Sequence, residues 1–387
     1  MAASLYTVML YDIRTQKIFA KIPKAELSYE YEMDDAGSAS ISVPMKAKKL
    51  DGTRLTPYDL FPCRTGVAIQ RGSELVWGGL IWQYQVDLST QLISIDAGGY
   101  LSYYKYRHTN VKGNKFKNKE TIDIVKWFIL ETNSGSTAGN GINTNISGLK
   151  PVGTLKTKTW NPFEYESLDS VIIDMADEIA SYDPNTLKYG GGFFFYFEPY
   201  FIDSDRIGHR MSNTESRHPL FNGITLRQSV NCEFSNISVD GNSMANVAYV
   251  VGAGNGEPSI TPHAELKNTI FSQEIPYMNT VVSATGDKNP ASLRWRARSA
   301  LAYGSIPITL PTADTFPNMF SPLQFKPGML VKVTTDDGFL SLTNAEYVVT
   351  KVSVSMGTDG SDRLSIDMIQ SALFTEVPEE DEEDVNG

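Results

Sequence analysis

Glu164, Glu166 and Asp169 set three carboxylates in the stretch EYESLD, just ahead of an apolar helical period. Two such groups could cleave a cell-wall glycan if one were an acid of raised pKa and the other an ionised partner facing it. At the head of a helix the same residues favour its N-terminal dipole, and that structural reading is preferred. Cys232, in VNCEFS, shares one face of a strand-like alternation with Val230 and Phe234, so its thiol reads as core rather than as a nucleophile. His209 and His218 flank the loop-like MSNTESR. Together with His108, His263 and Cys63 they show no ligand spacing, so no metal site and no cofactor is expected.

Gly252-Ala-Gly254-Asn-Gly256 follows the strand-like NVAYVV, but Glu257-Pro258 stands where a phosphate-binding helix would begin. A turn is the better reading. Arg294, Arg296 and Arg298 form the most basic cluster, and Arg294 and Arg298 share a helix face; they fit a solvated face or a salt-bridged subunit interface. No set of nucleophile, base and orienting group can be assembled, and the chain is expected not to be an enzyme.

The elements that must position these groups are mostly strands. LYTVMLYD and KIFAKI, then ELSYEYEM and SASISVPM around Asp34-Asp35-Ala36-Gly37, read as hairpins, and TGVAIQRG, LVWGGLIWQYQVDL and QLISIDAGG continue the series. The middle changes period. Ile122, Val125 and Ile129 recur at helical spacing, as do Leu168, Val171, Ile172, Met175 and Ile179, with Asp183-Pro184 as a stop. Between these helices NSGSTAGNGINTNISG reads as an exposed loop, and GGFFFYFEPYFID as a strand or hairpin apolar on both faces and covered by the two helices. GITLRQSVNCEFSNISVD and MANVAYVVGAG return to strand. A third helix starts at Asn289-Pro290 and ends at Gly304, and PGMLVKVTTDDG, AEYVVTKVSVSMG and DRLSIDMIQ are strand again.

The 387 residues carry a net charge of −11, and Glu376 to Gly387 holds seven carboxylates and no base, which leaves −4 for the body. No basic stripe offers the counterion-releasing footprint of a nucleic-acid binder, and the acidic tail reads as disordered. No segment reaches the roughly 20 apolar residues of a membrane-spanning helix, and MAASLYTVMLYD lacks a signal-peptide pattern. The chain is expected to be made and assembled in the cytosol.

The first and last strand blocks share a plan. GVAIQ matches MLVKV, VWGGLIWQYQVDL matches YVVTKVSVSMG, and the closing strands carry Ser94-Ile95-Asp96 and Ser365-Ile366-Asp367. If this is a true duplication, each chain holds two similar barrels, and a ring of three chains presents six. Such a ring could join a sixfold tube to a threefold tip.

At these residues the sequence resembles a family. AELSYEYEMDDAGSASISVP, TGVAIQRGSELVWGGLIWQYQVD and LISIDAGGYLSYYKYR look like the opening of siphophage tail-hub or minor tail proteins, and NISVDGNSMANVAYVVGAG with FKPGMLVKV look like their second half. The resemblance covers about half the chain. It implies a relative of the contractile-phage baseplate hub and of the type VI secretion spike base: a homotrimeric ring with two β-barrels per chain around a lumen and α+β lobes outside. It also implies neighbours: a distal tail or tail tube protein, a tape-measure protein, and tail fibre or spike proteins. DNA would pass through the lumen without sequence-specific binding. The hydrolase or sugar-binding module of many relatives is not expected after the last strand.

The expected fold is therefore a β-rich α+β protein with two small β-barrel domains and inserted α+β lobes. The boundaries read as 1-106 for the first barrel, 107-222 for a two-helix lobe, and 223-256 for the start of the second barrel. They continue as 257-325 for a smaller insertion, 326-373 for the end of that barrel and 374-387 for the tail. Trp77 and Trp82 of LVWGGLIW fall on opposite strand faces unless a bulge intervenes, one filling the barrel and the other facing a neighbouring subunit. The glycines between them are expected to mark the bulge or corner. Trp77, Trp82, Arg294 and Arg298 are thus the candidate interface residues. A carbohydrate-binding receptor module and a tail-associated cell-wall hydrolase remain as alternatives.

Overall fold

A computed structural model describes residues 6–23, 26–109, 112–133, 141–177, 181–183, 188–252, 263–265, 276–283, 290–304, 307–336, 338–356 and 361–374. The first block holds β1 (Tyr6–Asp12), β2 (Ile18–Pro23), β3 (Glu26–Glu32), β4 (Ser38–Pro44), β5 (Thr65–Arg71), β6 (Glu74–Asp87) and β7 (Leu92–Gly99). A lobe follows with α1 (Leu101–Tyr104), β8 (Asn114–Glu120), α2 (Thr121–Asn133), β9 (Asn145–Gly148), β10 (Leu155–Trp160) and α3 (Leu168–Ala176). It ends with β11 (Ser181–Asp183), β12 (Lys188–Gly190), β13 (Phe195–Asp203) and β14 (Arg206–Asn213). The second block opens with β15 (Phe221–Arg227) and β16 (Cys232–Asp240). It is interrupted by β17 (Val247–Val251), β18 (His263–Glu265), β19 (Asn279–Ser283) and α4 (Pro290–Gly304). It resumes with β20 (Ile308–Thr315), β21 (Leu330–Asp336), β22 (Ser341–Met356) and β23 (Asp362–Gln370). With 54% strand and 14% helix the fold is β-rich α+β, as expected.

Five strands of each block repeat one another in order. In the first, the order across the sheet is β3-β4-β7-β6-β5; in the second it is β16-β20-β23-β22-β21. Register confirms the match. Gln83, Tyr84 and Gln85 face Asp96, Ile95 and Ser94, while Lys351, Val352 and Ser353 face Asp367, Ile366 and Ser365. Each long strand carries an extra residue at the same place, Trp82 between Ile81 and Gln83 and Thr350 between Val349 and Lys351. A bulge bends its strand and is kept in position by the pairing around it, so the shared bulge is a structural signature of duplication. The bulges also correct the alignment: Trp82 corresponds to Thr350, and Gly66, opposite Leu80, corresponds to Leu330, opposite Val348.

Two separate closed barrels are not what the described residues form. Thirteen strands make one sheet that runs from β16 to β2, with β21 and β15 branching from β22, and β3 of the first block pairs with β22 of the second. The reason is length. The first half of the sixteen-residue β22 pairs with β21, and its far half, Lys351 to Ser355, runs past that partner and takes β3 instead. One apolar core therefore serves both blocks, joining Val8, Ile41, Trp77 and Ile95 to Val331, Val352 and Ile366.

Within LVWGGLIW the glycines do not mark the bulge; the extra residues are Val76 and Trp82, on either side of them. Gly78 and Gly79 are required by close approach. A Cβ on Gly79 would lie 2.1 Å from the Gly98 carbonyl oxygen, and one on Gly78 would lie 2.4 Å from the Tyr100 hydroxyl. Gly79→Ala must push β6 from β7, and we expect a loss of about 2–3 kcal/mol in urea denaturation. Gly190, whose φ is not positive and where a Cβ would meet only the Thr154 hydroxyl at 3.8 Å, serves as the control.

The opposite face of the first block carries the lobe. Met9, Tyr11 and Leu80 pack against Ile122, Val125 and Phe128 of α2 and Val171, Ile172 and Met175 of α3. The helix α3 ends at Ala176, before the expected Asp183-Pro184 stop, and Ile179 lies outside the described residues. The expected loop after α2 contains β9, parallel to β14; residues 134–140 lie outside the described part. The Phe-rich run is covered in part: Phe193 is buried in the core formed with the helices, Phe195 and Phe197 pack half-buried against that core, Phe194 packs on Phe374, and Phe201 to Asp203 is exposed. The α4 start at Pro290 agrees with the sequence; Asn289, Ala253 to Gly256 and the acidic residues 375–387 lie outside the described residues. No described helix is long and apolar enough to cross a membrane.

Candidate assembly surface

The candidate reactive groups are committed to local structure. Glu164 accepts hydrogen bonds from the backbone and side-chain nitrogens of Asn161, both at 2.6 Å, and Glu166 accepts from the Trp160 indole at 2.6 Å. Asp169 is buried in the first turn of α3. These contacts hold the loop between β10 and α3; they do not set one carboxylate against another. Cys232 is fully buried, and burial pushes its thiol up to about 12, which keeps it protonated. His209 is also buried, its Nε2 2.8 Å from the Thr144 hydroxyl and its ring stacked on Tyr100 at 4.1 Å. Among the described residues no three His, Cys, Asp or Glu side chains are placed to hold a metal.

The interface candidates fall at distinct places. Trp77 faces the shared core with 2% of its surface exposed and donates its indole N–H to the Glu30 carbonyl at 3.2 Å. It has no surface to offer a neighbour. Trp82, the bulge residue, lies on the other face, donates to Ser102 Oγ at 2.8 Å and stacks at 4.8 Å on Tyr106, which is 67% exposed. On α4, Leu293, Ala297 and Leu301 pack against Ala248 and Val250 of β17. Arg294 is exposed and Arg298 half-buried on the flank of that contact.

Polar links fix the lobe to both blocks. Glu198 on β13 accepts from Lys326 at 2.5 Å and from Arg210 at 3.3 Å, and the Tyr196 hydroxyl donates to the Pro327 carbonyl at 3.0 Å. Burial would raise the Glu198 carboxyl, but these cations outweigh it and hold it below its usual range. Arg217, buried, pairs with Asp34 in the β3–β4 turn and donates to the Ala176 carbonyl at 3.2 Å. A cavity of about 200 Å³ remains where the three parts meet, lined by Tyr31, Trp77, Tyr100, Phe197, Glu198 and Lys326. The result is a rigid frame, with its exposed resources in sheet edges and exposed aromatic side chains.

No family model matches the sequence, and no curated protein matches it. Solved structures do. The tail protein from Neisseria meningitidis MC58 matches over 95% of this chain and 98% of its own, with TM-score 0.62 and 12% identity. The prophage MuSo2 43 kDa tail protein from Shewanella oneidensis matches over 95% and 99%, with TM-score 0.60 and 10% identity. The chain has the fold of phage tail proteins. That fold extends to a type VI secretion component of E. coli, described as structurally similar to T4 tail proteins gp27 and gp5, which matches over 96% of this chain and 79% of its own. Its TM-score is 0.50 and its identity 12%. The resemblance read from the N-terminal strands thus holds for the fold over nearly the whole chain.

Proposed function

We propose that the chain is a structural subunit of a phage tail tip, a homotrimeric hub ring in the virion that adapts a sixfold tail tube to a threefold tip. The observation that carries this is the duplicated five-strand block inside a chain that matches tail proteins from end to end. Two equivalent blocks per chain make six per trimer. The chain then works through interfaces and a lumen and carries no reaction centre. In this reading the blocks bounded by 1-106 and by 223-256 with 326-373 line the ring, and 107-222 and 257-325 stand outside as lobes. Trp82, Arg294 and Arg298 supply contacts between subunits. Tail tube or distal tail protein lies above, with tape-measure, fibre or spike proteins as the other neighbours. An overall acidic chain lets DNA pass without adhering.

The ring is tested by mass. Sedimentation or mass photometry of the purified chain at micromolar concentration should give three times 42.8 kDa, and negative-stain images should show closed threefold rings. A monomeric mass with no ring, alone or in the particle, would overturn the proposal.

A further inference from the structure

The duplication makes one more comparison possible, because the contact between the two blocks has only one half of its pattern filled. In the chain, β3 lies antiparallel on the far half of β22: Lys351 faces Glu32, Val352 faces Tyr31, Ser353 faces Glu30, Val354 faces Tyr29 and Ser355 faces Ser28. The equivalent of β22 is β6, and the equivalent of β3 is β16. On β6, Glu74 to Leu80 pairs with β5, while Gln83 to Asp87 pairs only with β7 and has no partner on its other edge among the described residues. On β16 the single paired neighbour is β20, which leaves the outer edge of Asn236 to Asp240 without a strand among the described residues. Two residues earlier, on the far side of the bulge residue Ser235, Phe234 has its N–H taken by the Gln228 side chain at 2.7 Å, so the open edge lies beyond Phe234.

We infer that Gln83–Asp87 of β6 and Asn236–Asp240 of β16 form an antiparallel strand pair between neighbouring copies of this chain, reproducing the β22–β3 pair within it. This inference rests on the trimeric reading and names its interface. The register follows from the internal equivalences. Ser28 and Asn236 face the equivalent residues Ser40 and Thr312, so Asn236 stands for Ser28 and Asp240 for Glu32. Asp87 then faces Asn236, Val86 faces Ile237, Gln85 faces Ser238, Tyr84 faces Val239 and Gln83 faces Asp240.

The side chains suit this register. Tyr84 and Val86 meet Val239 and Ile237 where Val352 and Val354 meet Tyr31 and Tyr29. In the single chain Val86 is 40% and Val239 62% exposed, whereas Val354, the counterpart of Val86, is 1% exposed beneath β3. Apolar residues opposite one another, with amides, a hydroxyl and single carboxylates at the alternate positions, are what a cross-strand pair requires, and no two like charges are opposed. An unprotected strand edge of this kind otherwise invites aggregation, and pairing removes it. Each copy gives one edge and receives another, a head-to-tail contact that closes when the rotation between copies permits.

Disulfide trapping tests the pair. In a Cys63→Ser background, Gln85→Cys and Ser238→Cys are made singly and together. Mild oxidation of the double variant should give a covalent species of three chains on a non-reducing gel. A mixture of the two single variants should give a two-chain species absent from either alone. A three-chain mass in solution with no cross-link in either experiment would overturn the strand pairing and leave the ring standing. An intrachain disulfide would also overturn it. A chain that stays monomeric at high concentration and in the particle would overturn both readings.

Discussion

Arg71→Ala is expected to destabilise the fold by about 3–5 kcal/mol, measured as a lower urea midpoint with an unchanged slope. Arg71 ends β5 in the first block, and its guanidinium holds the carboxylate of Asp362, the first residue of β23 in the second, through contacts of 2.5 and 2.7 Å. Asp362 is fully buried beside a sheet core, while Arg71 keeps about a quarter of its side chain in solvent. Removing the arginine leaves a buried charge without its cation, with the Tyr6 hydroxyl as a remaining hydrogen-bond partner. The double variant Arg71→Leu with Asp362→Asn should recover most of the loss, because what costs most is the stranded charge rather than the absence of an ion pair. Equal destabilisation of single and double variants would show that Arg71 acts by packing instead.

That pair spans 291 positions, and no local pattern could have pointed to it. What was legible in the sequence was what strands announce locally. The β3–β4 hairpin was marked by its Asp-Asp-Ala-Gly turn, where Asp34 and Gly37 adopt positive φ, and the repeated Ser-Ile-Asp marked the two closing strands. The alignment between the blocks was not legible because the bulge they share falls on Trp82 in one and Thr350 in the other, unlike residues that give it no mark in composition. The joining of both blocks into one sheet was hidden for a different reason. It depends on β22 outrunning β21, a difference in length that acts only once the hairpin has formed. Of the four candidate interface residues, Trp77 was drawn by size and apolarity, the same properties that bury it. The strands that carry the inferred subunit contact have no unusual residues at all; their meaning lies in the unfilled half of an internal pattern.

Acid should destabilise the lobe through His209, and by an amount that can be isolated. Its ring lies in a closed polar chain, with Nε2 on the Thr144 hydroxyl, which is also 2.7 Å from the Tyr104 hydroxyl, and its flat face against Tyr100. Tyr100 in turn meets the Tyr11 hydroxyl at 2.7 Å, so the histidine couples β14 of the lobe to β1 of the first block. Burial lowers the pKa of His209 from 6.5 to about 3, so the folded chain keeps it neutral while the unfolded chain takes up a proton near 6.5. The unfolded state therefore binds more protons as pH falls below 6.5. The stabilisation is complete above that value and is lost progressively down to about 3. Between pH 6.5 and 5, before most carboxylates titrate, one proton taken up by the unfolded chain alone costs about 2 kcal/mol. His209→Gln keeps a group able to reach Thr144 and removes the titration. Its stability should vary less over that interval than the parent's, by about the same 2 kcal/mol, while its stability at pH 7.5 changes by less. Parallel pH profiles for the two chains would mean that His209 is protonated inside the fold, and the buried Tyr11–Tyr100–His209 stack would have to admit a charge.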